Sequence, residues 1–250
     1  MHLAEVVDNV GIISLDPYIS EGHISSINAL EQICDNLQKQ GIDLCLLDMR
    51  DVQSVPSVFL ATIVTLQNKL NTTGGRLALL NPVSYVRKLL NITVVNELIE
   101  SFDNKMQAIY SLKKAKKDEY DSLMQKMGSP DLIQRFEAAK KLVRMGEEKA
   151  FNYIVGSLES EDDNERFQAT LCLTAIGGER VIAPLIKALK DNFYKVRCFA
   201  AEALGNLHAN AALNPLKELI RFDQNRNVVA KAGEAIDKIV HSSNSRVSAG

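Results

Sequence analysis

The chain has 250 residues, of which 46% are apolar and 24% charged, and its formal net charge is −2. These values are typical of a globular protein, and the nearly balanced charge speaks against a broad nucleic-acid-binding surface. No apolar run is long enough to span a bilayer, and the first residues lack the basic and apolar stretches of a secretion signal. We therefore expect a cytoplasmic protein that binds neither nucleic acid nor membrane, with enough residues for two domains.

Cysteine and histidine spacing indicates neither disulfides nor a metal site. The four cysteines lie in apolar stretches without CxxC spacing, so we expect them to be reduced core residues. No histidine stands three or four residues from another histidine or a cysteine, and the phosphate-loop, dinucleotide and nucleophile-elbow motifs are absent. The sequence predicts no metal, no cofactor and no catalytic residue. The residues concerned are Cys34, Cys45, Cys172, Cys198, His2, His23, His208 and His241.

The first 115 residues alternate between strand and helix periodicity. Short apolar runs predict strands at 11–17, 42–49 and 76–80. Helical spacing predicts helices at 24–38, 56–70, 84–91 and 104–115. In the last of these, Met106, Ile109 and Tyr110 are expected to face inward, with Leu112 as a further candidate. Strands that alternate with helices imply right-handed crossovers and a mainly parallel sheet.

A resemblance to a known family lies in LLDMRDVQSVPSVFLATIVTLQNKLNTTGGRLALLNPVSYVRKLLNIT, residues 46–93. An apolar strand, an acidic turn, a helix, the Gly74-Gly75 turn, a second apolar strand and a short arginine-containing helix follow one another. This order resembles the STAS domain of anti-sigma-factor antagonists. The resemblance covers most of residues 1–116 and implies an α/β fold with a mainly parallel mixed sheet. It also implies a protein partner: an anti-sigma factor, a histidine-kinase-like ATPase or another STAS protein.

The resemblance also points to one site. In the antagonist branch, a serine at the start of the second predicted helix is phosphorylated by a partner kinase, and Ser57 takes that place here. Pro56, Val58 and Phe59 stand where the family has Asp, Ser and Gly. A phosphate at Ser57 would add nearly two negative charges at a helix N-terminus, which favours anions.

The surrounding residues leave a second interpretation of this window open. Ser54 would be the helix N-cap and Pro56 a first-turn residue, which leaves Ser57 as a small polar residue without a special role. If the helix start is instead a docking surface, a partner would contact the five consecutive residues Ser54, Val55, Pro56, Ser57 and Val58.

From residue 118 onward the pattern is helical and repeats every 31 or 32 residues. Several independent columns share this period, which identifies a solenoid of helix pairs. The columns are Arg135, Arg166 and Arg197; Ala138, Ala169, Ala200 and Ala232; Leu142, Leu173, Leu204 and Ile236; Ile154, Leu185 and Leu216; and the last helix continues to Ile239.

Residues 196–220, VRCFAAEALGNLHANAALNPLKELI, resemble the HEAT-like repeat of the phycobilisome-lyase type. The shared features are the Val-Arg opening, the Ala-Ala pair and a proline, Pro184 or Pro215, in the first turn of the second helix. We therefore predict a STAS-like domain at 1–116, an all-α HEAT-repeat solenoid at 117–241 with a capping helix at 118–127, and a disordered tail at 242–250. The likeness to lyases carries over no activity.

The resulting hypothesis is a non-enzymatic signalling adaptor whose repeat array offers a second protein-binding surface. Its rivals are a scaffold or chaperone-like accessory protein for a cofactor-bearing client, and a purely structural oligomer; homo-oligomerisation stays open in each case. The arginine column is interpreted as a set of anchors to acidic residues of neighbouring repeats, with an anion-binding ladder as the alternative. The basic cluster at 113–117 is interpreted as a solvated linker helix, with docking of an acidic partner as the alternative.

Overall fold

The computed structural model of the protein describes residues 2–91 and 95–247. The chain divides into two compact units, Met1–Ser122 and Leu123–Gly250. None of the described helices is both long and apolar enough to cross a membrane.

The first unit contains one sheet of five strands in the order β1-β2-β3-β4-β5. Strands β1 and β2 form an antiparallel hairpin, whereas β2, β3, β4 and β5 are parallel neighbours. The hairpin turn is Asp8-Asn9, and both residues have a positive φ, as the two-residue turns that match strand twist require. The strands are β1 Leu3–Val7, β2 Val10–Ser14, β3 Leu44–Asp48, β4 Arg76–Leu80 and β5 Glu100–Phe102.

Helices cover both faces of this sheet. Alternate strand residues point to opposite faces, so Ile13 and Leu47 pack with one set of helices, while Ile12 and Leu46 pack with the last helix of the unit. The parallel strands are therefore buried on both sides, which explains their continuous apolar sequences. The helices are α1 Ile24–Lys39, α2 Ser57–Asn71, α3 Ser84–Asn91, α4 Val95–Leu98 and α5 Lys105–Met127, and a 3-10 turn occupies Pro17–Glu21.

The structure differs from the sequence prediction at both ends of this unit. Strands β1 and β5 and helix α4 were not predicted; β5 and α4 have only three and four residues. The predicted helix 104–115 and the predicted capping helix 118–127 are one helix, α5, since no glycine or proline interrupts the sequence before Gly128. Inward positions for Met106 and Tyr110 were wrong, as these side chains are 64% and 67% exposed.

The inward stripe of α5 instead runs through three other residues. Ala108, Ile109 and Leu112 pack against the sheet, which confirms the predicted inward positions of Ile109 and Leu112. These three residues are spaced at one and three positions, so they lie on one side of the helix.

The second unit is a series of helix pairs. Helices α6 Leu132–Arg144 and α7 Glu148–Gly156 form the first pair, α8 Asp163–Ile176 and α9 Ile182–Ala188 the second, and α10 Tyr194–Asn206 and α11 Leu213–Phe222 the third. Helix α12 runs over Arg226–Val247 and so continues through most of the segment 242–250 that composition predicts to be disordered. An established helix extends through residues of weak helix propensity at small cost. Ser248 to Gly250 lie outside the described residues.

The repeat columns form the core of this array. Every member of the alanine column and of the second-helix column is buried, and Leu185 is fully inaccessible. In the leucine column, Leu142, Leu173 and Leu204 are buried and Ile236 is half-buried. Pro184 and Pro215 each occupy the third residue of a second helix, where a missing N–H leaves no intrahelical hydrogen bond unmade. The predicted all-α solenoid is confirmed.

Candidate partner-binding site

The segment between β3 and α2 is fixed by core residues at its beginning and end. Met49 and Val52 are fully buried, and Val55 is 8% exposed. The carboxylate of Asp48 at the end of β3 accepts hydrogen bonds from the Arg50 guanidinium at 2.5 and 2.9 Å and from the Arg50 N–H at 3.2 Å. This segment is therefore anchored on the sheet.

Ser54 ties the same segment to the 3-10 turn. Its hydroxyl donates to the Ser20 carbonyl at 2.8 Å, and the Ser20 hydroxyl accepts from the N–H groups of Gln53 and Ser54 at 3.0 and 3.3 Å. Pro56, with an extended backbone, occupies the N-cap position of α2. The N-cap role that the sequence suggested for Ser54 was therefore wrong. Pro56 holds that position, and Ser54 forms its hydrogen bonds with Ser20.

Ser57 is the first residue of α2 and is exposed. The first backbone hydrogen bond of the helix runs from the Phe59 N–H to the Pro56 carbonyl at 3.0 Å. The N–H groups of Ser57 and Val58 precede that bond and have no acceptor among the described residues, and the Ser57 hydroxyl likewise makes no hydrogen bond there. A hydroxyl beside free N–H groups at a helix N-terminus can carry an anion.

The five predicted contact residues do not all reach the surface. Ser57 and Val58 are exposed, Ser54 and Pro56 are half-buried, and Val55 belongs to the core because it packs among the residues beneath α2. Positions 54–58 thus present a narrow exposed strip centred on Ser57 and Val58.

The sequence did not point to the neighbouring contribution from the 3-10 turn. A Cβ placed on Gly22 would lie 3.6 Å from Pro56 and 3.9 Å from Val58, so this turn touches the start of α2. On either side of Gly22 in sequence, Tyr18 is 55% and Ile24 is 70% exposed. The Asp16-Pro17 pair that opens this turn is the signal from which it could have been found.

The arginine column of the second unit is structural. Arg166 donates to the carbonyls of Ser160 and Glu161 and to the Asp191 carboxylate, whereas Arg197 donates to the carbonyls of Asp191 and Asn192 and to the Asp223 carboxylate. We call each such set an arginine clasp. It confirms the anchoring interpretation for these two residues, and the guanidinium donors are then no longer free for an anion-binding ladder.

Arg135 makes the same two backbone contacts but has a different carboxylate partner. Its guanidinium donates to the carbonyls of Ser129 and Pro130 and, at 3.1 Å, to the Tyr153 hydroxyl. It also lies 3.6 Å from a carboxylate oxygen of Glu165 on α8, so it too pairs with an acidic residue of the neighbouring repeat. The carboxylate partner of Arg166, Asp191, stands 25 positions after it in sequence. The residue at the equivalent position after Arg135 is Ser160, which has no carboxylate.

The side-chain hydrogen bond with Asp191 raises the pKa of Arg166. Burial opposes ionisation of Asp223, but the hydrogen bonds from Arg197 and from the Asn225 N–H lower its pKa below the ordinary value.

Three of the four cysteines are core residues, as predicted, and Cys198 is not. Cys34, Cys45 and Cys172 are buried, Cys198 is half-buried, and none forms a disulfide. Burial raises the pKa of Cys172 to about 11, which keeps the thiol protonated near neutral pH. Among the described residues no cluster of histidine, cysteine and carboxylate side chains could hold a metal ion.

Comparison with known protein families agrees with both units. The STAS domain family matches residues 3–108. The first unit is a STAS domain. The HEAT repeat family matches residues 120–193 and 157–237, so HEAT repeats make up the second unit.

Related proteins match part of the chain. The chain is 29% identical over 77 residues to an anti-sigma factor antagonist homologue of Thermotoga neapolitana, which covers 31% of this chain and 68% of that protein. It is 24% identical over 82 residues to an anti-sigma factor antagonist of Thermotoga maritima; the match covers 33% of this chain and 73% of that protein. The structure of the complex of CpcE and CpcF of phycocyanin lyase from Nostoc sp. PCC7120 is similar, with 24% identity and a TM-score of 0.39. The match covers 48% of this chain and 53% of that chain.

Proposed function

We propose that the protein is a non-enzymatic signalling adaptor of bacterial partner-switching regulation. Its STAS domain binds a protein partner, either an anti-sigma factor or a histidine-kinase-like ATPase, through the start of α2. The HEAT repeats supply a second protein-binding surface. The observation that carries the proposal is the exposed Ser57 at the first position of α2, on a segment that core residues hold in place. Similarity to the Thermotoga antagonists supports the class of partner.

Phosphate at Ser57 gates this binding. The free N–H groups of the first helical turn and the helix dipole accommodate a negative charge within the isolated domain, where it is worth a few tenths to about 1 kcal/mol. A partner that packs on the same strip must instead remove that charge from water, and an unpaired buried charge costs several kcal/mol. The exposed side chains of Val58, Tyr18 and Ile24 offer the partner apolar contacts around the serine.

The first test is affinity purification of the full chain, followed by identification of bound proteins and mapping of phosphorylated residues. Recovery of an anti-sigma factor or a histidine-kinase-like ATPase supports the adaptor. A cofactor-bearing client would favour the accessory-scaffold alternative, and recovery of the chain with itself alone would favour a structural oligomer.

The second test titrates that partner against Ser57→Asp, Ser57→Ala and the wild type. We expect Ser57→Asp to keep its melting temperature and to bind about tenfold more weakly or worse, equivalent to about 1.4 kcal/mol, whereas Ser57→Ala binds like the wild type. Ser122→Asp places the same charge on the exposed side of α5 and controls for net charge. Equal affinities of all variants would remove the start of α2 from the interface.

A further inference from the structure

The end of α11 carries an aromatic side chain that the repeat does not need. Phe222 is 69% exposed. Asp223 and Asp191 are equivalent residues of successive repeats, because each accepts from the clasp arginine of its repeat. The residue before each of them is therefore also equivalent, and Phe222 corresponds to Lys190. The buried column of this helix runs through Leu216 instead. The phenylalanine therefore contributes little to packing of the array and remains available as part of a binding surface.

Phe222 forms one wall of a groove between the end of α9 and helix α11. Leu189, Pro215 and Leu219 form the rest of its apolar lining, and its volume is about 260 Å³. Pockets for cofactors and other small molecules usually measure roughly 300–1,000 Å³. The groove is therefore of a size for an inserted side chain, and we call it the α9–α11 groove.

Two cations lie at the α9–α11 groove. Lys190 lines it, and the Arg221 guanidinium lies 5.1 Å from the centre of the Phe222 ring. In the described part of the chain neither of these two cations has a carboxylate partner. Of the two carboxylates that line the groove, Asp223 is neutralised by Arg197 at 2.7 and 3.0 Å, which leaves Glu218.

We propose that the α9–α11 groove binds an acidic segment of a protein partner, which inserts one large apolar side chain beside Phe222. The apolar walls provide the anchor, as buried aromatic contacts do at the centre of protein interfaces. Lys190 and Arg221 beside it select carboxylates on the inserted segment and raise the association rate. This inference rests on the proposed second binding surface of the repeats and gives that surface a location and a ligand chemistry.

The experiment is a selection of random displayed peptides on the immobilised full chain, run in parallel on Phe222→Ser. Because Phe222 is mostly exposed, we expect the variant to fold normally, which a thermal melt checks. Peptides enriched on the wild type but not on the variant should share a large apolar residue flanked by aspartate or glutamate. Absence of such a difference, or enrichment of basic or uncharged flanks, would overturn the proposal.

Titration of a selected peptide then separates the anchor from the charges. Lys190→Glu and Arg221→Glu should each weaken binding about tenfold or more, and added salt should weaken binding to the wild type. Ile133→Ser removes another exposed apolar side chain of the same unit, on α6, and should bind like the wild type. Unchanged affinity in both charge reversals would contradict the acidic ligand.

Two further measurements test the occupant of the groove and its independence from the STAS domain. Sedimentation equilibrium detects a second copy of the chain as the occupant: self-association that Phe222→Ser abolishes would overturn the proposal. Ser57→Asp should bind the selected peptides normally, because its substitution lies in the STAS domain. Failure at the α9–α11 groove would thus leave the proposed role of Ser57 standing, and failure at Ser57 would leave the groove standing.

Discussion

The Oε1 atom of Gln67 accepts a hydrogen bond from the backbone N–H of Leu77 at 2.7 Å. Strand β5 pairs with β4 only at Ala78–Leu80, so this N–H lies just before the paired stretch. Gln67 is 5% exposed, and its amide nitrogen donates to the Asn71 side chain at 2.6 Å. A side chain of α2 thus completes the hydrogen bonding of a strand whose neighbour is too short.

Replacing this glutamine should destabilise the STAS domain. Gln67→Met keeps the length of the side chain but leaves the Leu77 N–H without an acceptor, which costs about 1–3 kcal/mol. Chemical denaturation measures the loss, and hydrogen exchange at Leu77 should accelerate. Asn68→Ala changes the exposed neighbouring residue and should have little effect. Equal stability of Gln67→Met and the wild type would mean that water replaces the amide.

The approach of α10 to α12 sets a second prediction. A Cβ on Gly205 would lie 2.7 Å from the Ala235 Cα and 2.8 Å from its Cβ. Gly205→Ala should therefore cost about 1–3 kcal/mol through overpacking. Gly233 lies within α12 and has no atoms within 4 Å of such a Cβ, so Gly233→Ala should stabilise the protein by about 0.5–1 kcal/mol. Thermal melts of the two variants should shift in opposite directions, and a shared direction would refute this helix contact.

The Arg197–Asp223 clasp makes the repeats sensitive to acid. Because the pKa of Asp223 is lowered on folding, its carboxylate stabilises the folded state above the ordinary aspartate value of about 3.9, and this stability is lost as pH falls through the lowered pKa. Asp223→Asn should therefore be less stable than the wild type at pH 7, with a difference that shrinks below about pH 4.

Urea titrations at a series of pH values measure that difference. Glu161→Gln, an exposed position of the same unit, serves as the control. If Asp223→Asn stays less stable than the wild type by the same amount down to low pH, the variant has lost a hydrogen bond and the charge of Asp223 makes no contribution.

Limited proteolysis tests the continuity of α5. The basic cluster at 113–117 lies within this helix, and the Lys116 ammonium is 2.7 Å from both carboxylate oxygens of Asp43. A helical backbone fits poorly into a protease active site, so we expect trypsin to spare the cluster and to cut first after Lys126, where the helix ends before the exposed Gly128. Fragments ending at 113–117 would show that α5 opens there and would favour the domain boundary near residue 116.

Sequence patterns predicted the repeats better than the edges of the STAS domain. A column such as Ile154, Leu185 and Leu216 repeats one environment three times, so chance agreement is small and burial follows directly. Strand β5 has only three residues, too few to show a period. The Asp8-Asn9 turn did carry a hairpin signal, but one that depends on positive φ at two residues that also occur in ordinary loops.

The candidate site was predictable in position and not in detail. The start of α2 was placed within one residue, because a strand, a loop and an amphipathic helix have distinct periods. The burial of Val55 and the contribution of Ser20 arise from contacts with the Pro17–Glu21 turn and the core, which are distant in sequence or depend on packing. Neither can be obtained from local periodicity.

The clasps of the repeats are linked end to end through Asp191. Its side chain receives Arg166 from one repeat, and its backbone carbonyl receives Arg197 from the next. A tandem duplication of residues 166–196 would therefore insert an arginine and an aspartate that match the existing partners on both sides. Because each repeat contacts mainly its neighbours, such a longer protein should fold, and the array can grow in evolution or by engineering without redesign of its junctions.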